Sequence, residues 1–212
     1  MNAALRLVSG PLAGSGALVL LLALAGCSGF TSKADPTRSF VLRAATAAPA
    51  VTAARSEATL SVLAPLAAPG LAGTRVAVLL DGDQLDAYRG AQWAADLQES
   101  VQSVVIETLR RAGVARNVLD ANSPFNADWL LRLEIRHFES VEQGAAPSVH
   151  VAWQATLGRR DDRLAVATLA IDHSVATESR RLSAVITAFQ QATDQSAADL
   201  VQWVSGVLAA QP

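Results

Sequence analysis

The fold this sequence predicts is a two-layer α+β domain: a mainly antiparallel sheet with two amphipathic helices packed on one face. Three observations carry that prediction. Residues 127–177 hold three long runs in which apolar and polar side chains alternate. Alternation with one polar face marks an antiparallel sheet covered on one side only. Two other segments, one starting near Trp93 and one filling residues 183–209, repeat their apolar residues at three- and four-residue steps, which is the helical period. A sheet with one apolar face and helices with one apolar stripe bury each other, and that gives two layers.

The elements follow in chain order. Arg6 supplies a small positive region, residues 17–23 a short apolar run, and Ala25-Gly26 the small residues of a signal-peptidase site. Leu24-Ala25-Gly26-Cys27 then resembles the lipobox, where cleavage precedes a cysteine joined to diacylglycerol. The apolar stretch is about half the ~20 residues a spanning helix needs, so a cleaved signal over residues 1–26 is expected. The other readings are a secretory signal cut elsewhere, or a buried helix with a chance cysteine. Cys27 is thus the expected lipidation site, carrying covalent diacylglycerol and an N-acyl chain and no other cofactor. Each buried methylene contributes about 0.8 kcal/mol, so one chain holds weakly and two or more hold stably. Residues 27–37 are small and polar and read as a lipidated tether, with residues 38–212 as the folded domain.

Within that domain, residues 39–42 read as a brief strand and residues 43–58, rich in Ala and Thr with Pro49, as a flexible excursion. Strands are expected over residues 60–65, closed by Pro65, and 74–80, ended by Asp81-Gly82-Asp83. Trp93, Leu97, Val101, Val104, Val105 and Thr108 outline the first helix, which Gly113 stops. Tyr88 falls in the loop before it. A short strand follows over 115–119. In residues 127–139, Trp129, Leu131, Leu133 and Ile135 face inward and Asp128, Arg132, Glu134 and Arg136 outward. Residues 148–157 and 164–177 continue the pattern, with turns over 144–147 and 158–163. The last helix carries Val185, Phe189, Ala192, Ser196, Leu200, Trp203, Val204 and Val207 on its stripe.

The chemistry is sparse. The single cysteine is consumed by the anchor, which leaves no disulfide, thiolate nucleophile or cysteine metal site. Losing residues 1–26 removes Arg6 and no acid, leaving 16 basic against 19 acidic side chains. A weakly acidic chain without a basic run has no footprint for nucleic acid. Gly-x-Ser-x-Gly, P-loop and dinucleotide motifs are missing, so an enzyme is not expected. Of the three histidines, His137 and His173 share the inward register and His150 faces out. A metal would need imidazoles converging within about 2.0–2.1 Å of one ion. Neither a His-x-x-x-His nor a His-x-Glu spacing is read as supporting that, and no metal is expected. Asp161-Asp162 reads as a solvated turn. Trp93, Trp129, Trp153 and Trp203 read as core, with an apolar ligand groove as the alternative. Tyr88 and the outward stripe of Arg132, Glu134 and Arg136 are the candidate partner contacts; a solvated sheet face explains the stripe equally well.

Several motifs now stand in a particular order: the lipobox, Ser39-Phe40-Val41-Leu42, Leu60-Ser61-Val62-Leu63-Ala64-Pro65, Thr74-Arg75-Val76-Ala77-Val78, Tyr88 with Trp93-Ala94, residues 127–133 with Phe138, and Val149-x-Val151-x-Trp153. Together they resemble the ABC-type transport auxiliary lipoprotein family, which includes the PqiC-like lipoproteins. The resemblance implies a lipid-anchored accessory subunit on the periplasmic face of the outer membrane. Its implied partner is an Mce-domain protein of an ABC-type transport system that moves lipids or other hydrophobic molecules, docked at its far end by a ring-forming homo-oligomer. Ser28, where an inner-membrane retention signal would place aspartate, favours the outer membrane. The alternatives are a periplasmic lipid-binding lipoprotein and a structural envelope-assembly lipoprotein without a transporter partner.

Overall fold

The computed structural model describes residues 36–81, 83–142 and 146–211. The chain divides after Pro36; the signal, Cys27 and nearly all of the tether lie outside the described residues, as do Gly144 and Ala145 of the first expected turn. The unit that begins at Thr37 carries everything that follows.

Its described residues form nine strands and two helices: β1 Arg38–Phe40, β2 Ser56–Val62, β3 Leu66–Ala67, β4 Arg75–Leu80, β5 Gln84–Trp93, α1 Leu97–Ala112, β6 Ala115–Asp120, β7 Trp129–Val141, β8 Ser148–Arg159, β9 Ala165–Ala176 and α2 Leu182–Ala210. The class is α+β, as the alternation and the two helical periods predict. β7 organises the sheet. One edge pairs along its whole length with β8, which pairs with β9, both antiparallel. The other edge is shared by three short parallel strands in succession: β2 beside Trp129–Leu131, β3 beside Glu134 and Ile135, and β4 beside Ser140 and Val141. From there β2 leads to β6, and β4 leads to β5 and β1. The sheet is therefore mixed: its long pairings are antiparallel and its short ones mostly parallel.

Both helices cover the inner face. α1 buries Leu97, Val101, Val104, Val105, Thr108 and Leu109 and packs on β6 and α2. It ends at Gly113, whose φ of 66° lets its N–H reach back to the carbonyls of Leu109 and Arg110, the left-handed cap that glycine adopts without steric cost. α2, about 43 Å long at ~1.5 Å per residue, lies across β8, β9 and β2. At the centre Trp93, Phe138 and Phe189 meet: Trp93 stands edge-on to both rings, at 5.8 Å and 5.3 Å, and the two phenylalanines stack at 5.0 Å. Trp93 and Trp153 are almost wholly buried and Trp129 nearly so, so these tryptophans are core.

The structure corrects the sequence reading in four places. Residues 84–93 are a strand, so Tyr88 lies on β5 and Trp93 ends that strand, with α1 starting at Leu97. The cause is that Asp86 and Gly90 spoil β-propensity while Trp93, Leu97 and Val101 happen to extend the helical spacing. β2 begins at Ser56, inside the stretch read as an excursion. The rest of that stretch is strapped down. Arg111 donates to the Ala45 carbonyl at 2.6 Å, Gln190 bonds both the N–H and the carbonyl of Arg43, Gln202 bonds the Ala50 carbonyl, and Arg55 bonds that of Arg116. Finally, β7 carries a bulge. Ile135 pairs with Trp153 and His137 with Ala152, leaving Arg136 unpaired between them. An extra residue in one strand reverses the faces of all that follow it. Phe138 and Ser140 therefore point into the core, while His137 faces outward, opposite to its predicted register.

Candidate functional site

The bulge builds the site. Beyond it, His137 and Glu139 share the outer face of β7. His150 lies on β8 directly across from Glu139, and Asp172 on β9 opposite Ala152. Register alone thus gathers two imidazoles and two carboxylates on one patch. The His137 and His150 rings stack with centroids 4.2 Å apart and planes inclined 19°. His137 Nδ1 lies 2.7 Å from Glu139 Oε1, and His150 Nδ1 lies 3.8 Å from the same oxygen. On its far side, His150 Nε2 reaches Asp172 Oδ1 at 3.0 Å. One ligand atom from each of His137, Glu139 and His150 falls within 4.8 Å of the others. The Glu139 side chain is 5% exposed, and its second oxygen accepts the Phe138 N–H at 2.6 Å. A buried carboxylate must be paired or hydrogen-bonded, and here His137 and one backbone amide do that.

Sequence reasoning missed this cluster, although one signal was present. His137-Phe138-Glu139 is a two-residue step on one strand, which puts imidazole and carboxylate on the same face. The expectation of isolated histidines discounted that His-x-Glu step and assumed unbroken alternation through Arg136, which would have separated His137 from His150. The third histidine was placed correctly: His173 turns inward to Asp199 on α2, at 2.8 Å, far from any shared centre with the other two.

The residues singled out as partner contacts do not form one site. Arg132 and Arg136 flank Glu134 on the open face, at 3.4 Å and 4.0 Å. All three are exposed or half-exposed, and such pairs contribute about 0–1 kcal/mol. Tyr88 sits at the other end of β7, with its hydroxyl 3.0 Å from Glu142 Oε1 and 3.1 Å from Ser140 Oγ, while Arg180 bonds the other Glu142 oxygen. Burial pushes the Tyr88 hydroxyl above its usual 10.0; the Ser140 hydrogen bond opposes that shift and Glu142 adds to it. Tyr88 is thus a half-buried hydroxyl held in a polar network with Ser140 and Glu142. Cys27 lies outside the described residues.

An open cleft of about 960 Å³ runs between the start of β7, the β8–β9 hairpin and the end of α2. Trp129, Leu208 and Ala58 line it beside Arg55, Arg159 and Arg160, and the Arg159 guanidinium stands 5.5 Å over the Trp129 ring. The hairpin there is tight: a Cβ on Gly158 would come within 2.7 Å of the Leu164 carbonyl oxygen. Among the described residues no helix is long and apolar enough to cross a membrane.

The family model for the ABC-type transport auxiliary lipoprotein component matches residues 40–201. No curated protein matches the sequence. Among solved structures, protein XCC0632 from Xanthomonas campestris superposes with a TM-score of 0.66 at 24% identity, covering 84% of this chain and 98% of that one. An uncharacterised protein superposes with a TM-score of 0.57 at 14% identity, covering 73% and 97%. At these identities the two structures speak for the fold alone.

Proposed function

We propose, from the premise that the chain belongs to the ABC-type transport auxiliary lipoprotein family, that it serves such a transporter as a lipid-anchored docking subunit without catalysis of its own. The single observation that carries this reading is the family match over residues 40–201, nearly the whole folded unit. The family is one of envelope lipoproteins that assist a transporter, and it is not an enzyme class.

The finer points are ours. Cys27 is acylated after cleavage at residue 26, with residues 27–37 as tether and residues 38–212 as the docking domain. The anchor sits on the periplasmic face of the outer membrane, with Ser28 as the residue that favours this sorting. The partner is the Mce-domain, periplasm-spanning protein of the system, the cargo a lipid or other hydrophobic molecule, and copies of the chain assemble around the partner's end. The alternative of a lipid carrier gains little from the structure, because Trp93 and Trp153 are spent on core packing.

The test is affinity purification of the full lipidated chain from its native membranes. Recovery of an Mce-domain protein, with a permease and an ATPase encoded beside this gene, supports the reading. An isolated gene and no such protein in the eluate overturns it. Mass spectrometry of the same material checks the anchor: an unmodified thiol at Cys27, or a chain still beginning at Met1, removes the proposed address.

A further inference from the structure

We propose that His137, Glu139 and His150 bind a divalent transition-metal ion, Zn²⁺ by ligand type, on the outer face of the sheet, with Asp172 as the positioning carboxylate. Nothing in the transport reading requires this site, and the two stand or fall separately.

Tautomer and lone-pair geometry carry the inference. An ionised carboxylate only accepts hydrogen bonds, so the 3.0 Å contact between His150 Nε2 and Asp172 puts the proton on Nε2. That leaves the Nδ1 lone pair of His150 facing Glu139 Oε1 at 3.8 Å, beyond hydrogen-bond reach. In the neutral imidazole, a lone pair turned toward a buried carboxylate oxygen is repulsive unless a proton or a metal ion lies between them. The Asp172–His150 arrangement is the one metal sites use to fix a ligating imidazole, with a carboxylate holding the far N–H and raising the basicity of the ligating nitrogen. His137 presents its own Nδ1 to the same oxygen at 2.7 Å. Stacking at 4.2 Å with planes inclined 19° holds the two imidazoles side by side, and their lone pairs converge on one ion once the His137 ring turns.

The distances suit a small ion. Ligand atoms of a tetrahedral zinc centre stand about 3.3 Å apart when each bond is about 2.0–2.1 Å. The contacts here, 2.7 Å and 3.8 Å, straddle that spacing, and all three donors fall within 4.8 Å of one another. Rotations of the His137 side chain, 49% exposed, suffice to close the set. Two imidazoles and one carboxylate match zinc chemistry, whereas magnesium and calcium take all-oxygen shells. Three protein ligands leave a fourth position on the solvent side, filled by water in the isolated chain. On binding, the proton between His137 Nδ1 and Glu139 is replaced by the metal while Nε2 of His137, on the solvent side, takes up a proton, so the ligating imidazole stays neutral.

The experiment uses the full lipidated chain in detergent, so that the Cys27 sulfur is a thioether and no free thiol competes. Equilibrium dialysis against micromolar ZnCl₂ with elemental analysis should show one Zn²⁺ per chain, and X-ray absorption should show nitrogen and oxygen ligands with no sulfur. His137→Ala and His150→Ala should each abolish stoichiometric binding, and Asp172→Asn should weaken it by about 10–100-fold. His173→Ala, on the other face, should bind as the parent does. His137 is half-exposed and His150 partly buried, neither belongs to the apolar core, and circular dichroism confirms that each variant is folded. Substoichiometric zinc in the parent, binding that survives His150→Ala, or a sulfur ligand overturns the proposal. So does a proton shared between His150 and Glu139 in histidine NMR spectra that added zinc leaves unchanged.

Discussion

The two halves of β7 make opposite use of the same face. Before the bulge, Arg132 and Glu134 stand in solvent at a separation of 3.4 Å, an ion pair that loses to screening and side-chain entropy most of what it gains. After it, Glu139 is buried, hydrogen-bonded to His137 and a backbone amide, and faced by His150 at 3.8 Å. Both halves present an acid flanked by bases. The difference lies in convergence: one unpaired residue at Arg136 turns the second half over, and cross-strand neighbours on β8 and β9 then close around the carboxylate. Charged residues on an open sheet face become a site only where register brings partners from several strands together.

The strongest way to break this comparison is to insert one residue into β8 between Ala152 and Trp153, which gives Arg136 a partner and removes the bulge. Unbroken alternation along β7 would then drive His137 and Glu139 into the core and Phe138 out of it. A buried unpaired charge together with a lost aromatic belongs to the exceptional class of damage, above about 4–5 kcal/mol, so the chain should show no cooperative melting transition. Next in size is Phe138→Ala, which empties the centre of the Trp93–Phe138–Phe189 cluster and should cost about 3–5 kcal/mol in denaturant titration. The carboxylates themselves provide a matched pair. Glu139→Gln should cost about 1–3 kcal/mol, as expected when a buried hydrogen-bonded group loses its partners, whereas Glu134→Gln should stay within about 0.5 kcal/mol. Equal effects would sink the distinction between the two halves.

The smallest effect concerns an acid whose hydrogen-bond partner among the described residues is an amide. Asp194 on α2 accepts from Gln190 Nε2 at 2.8 Å. Burial raises its carboxyl above the ordinary 3.8, and the Gln190 hydrogen bond only partly opposes that. The folded chain thus holds this proton more tightly than the unfolded one. The associated stability is fully present below pH 3.8 and is lost as pH rises through the raised folded value. Asp194→Asn, neutral throughout, should melt slightly above the parent at pH 7. The difference should close as the pH falls toward 3.8; a gap that stays constant with pH would refute the assignment.

Pattern alone carried much of the fold. Trp129, Leu131 and Leu133, then Val149, Val151, Trp153, Ala155 and Leu157, lie where alternation places them, because a pleated strand has a fixed period of two. Gly113 ends α1 where the helical pattern was expected to stop. β5 stayed hidden because Gln84–Trp93 owes its strand state to pairing with β4 and β1 rather than to its own residues. β3, two residues long, exists only as an addition to the edge of β7. The strap over residues 43–55 depends on Arg111, Gln190 and Gln202, which lie far along the chain.

By itself the sequence determined the α+β class, the two helices, the inward faces of the long strands and a family likeness, because each rests on local periodicity or on residues in order. Only the tertiary structure decided the bulge at Arg136 and, through it, which way His137 and Glu139 point. A bulge is set by the fit of β7 against β8 on one edge and three short strands on the other, and that fit leaves no mark in the local pattern of β7 itself.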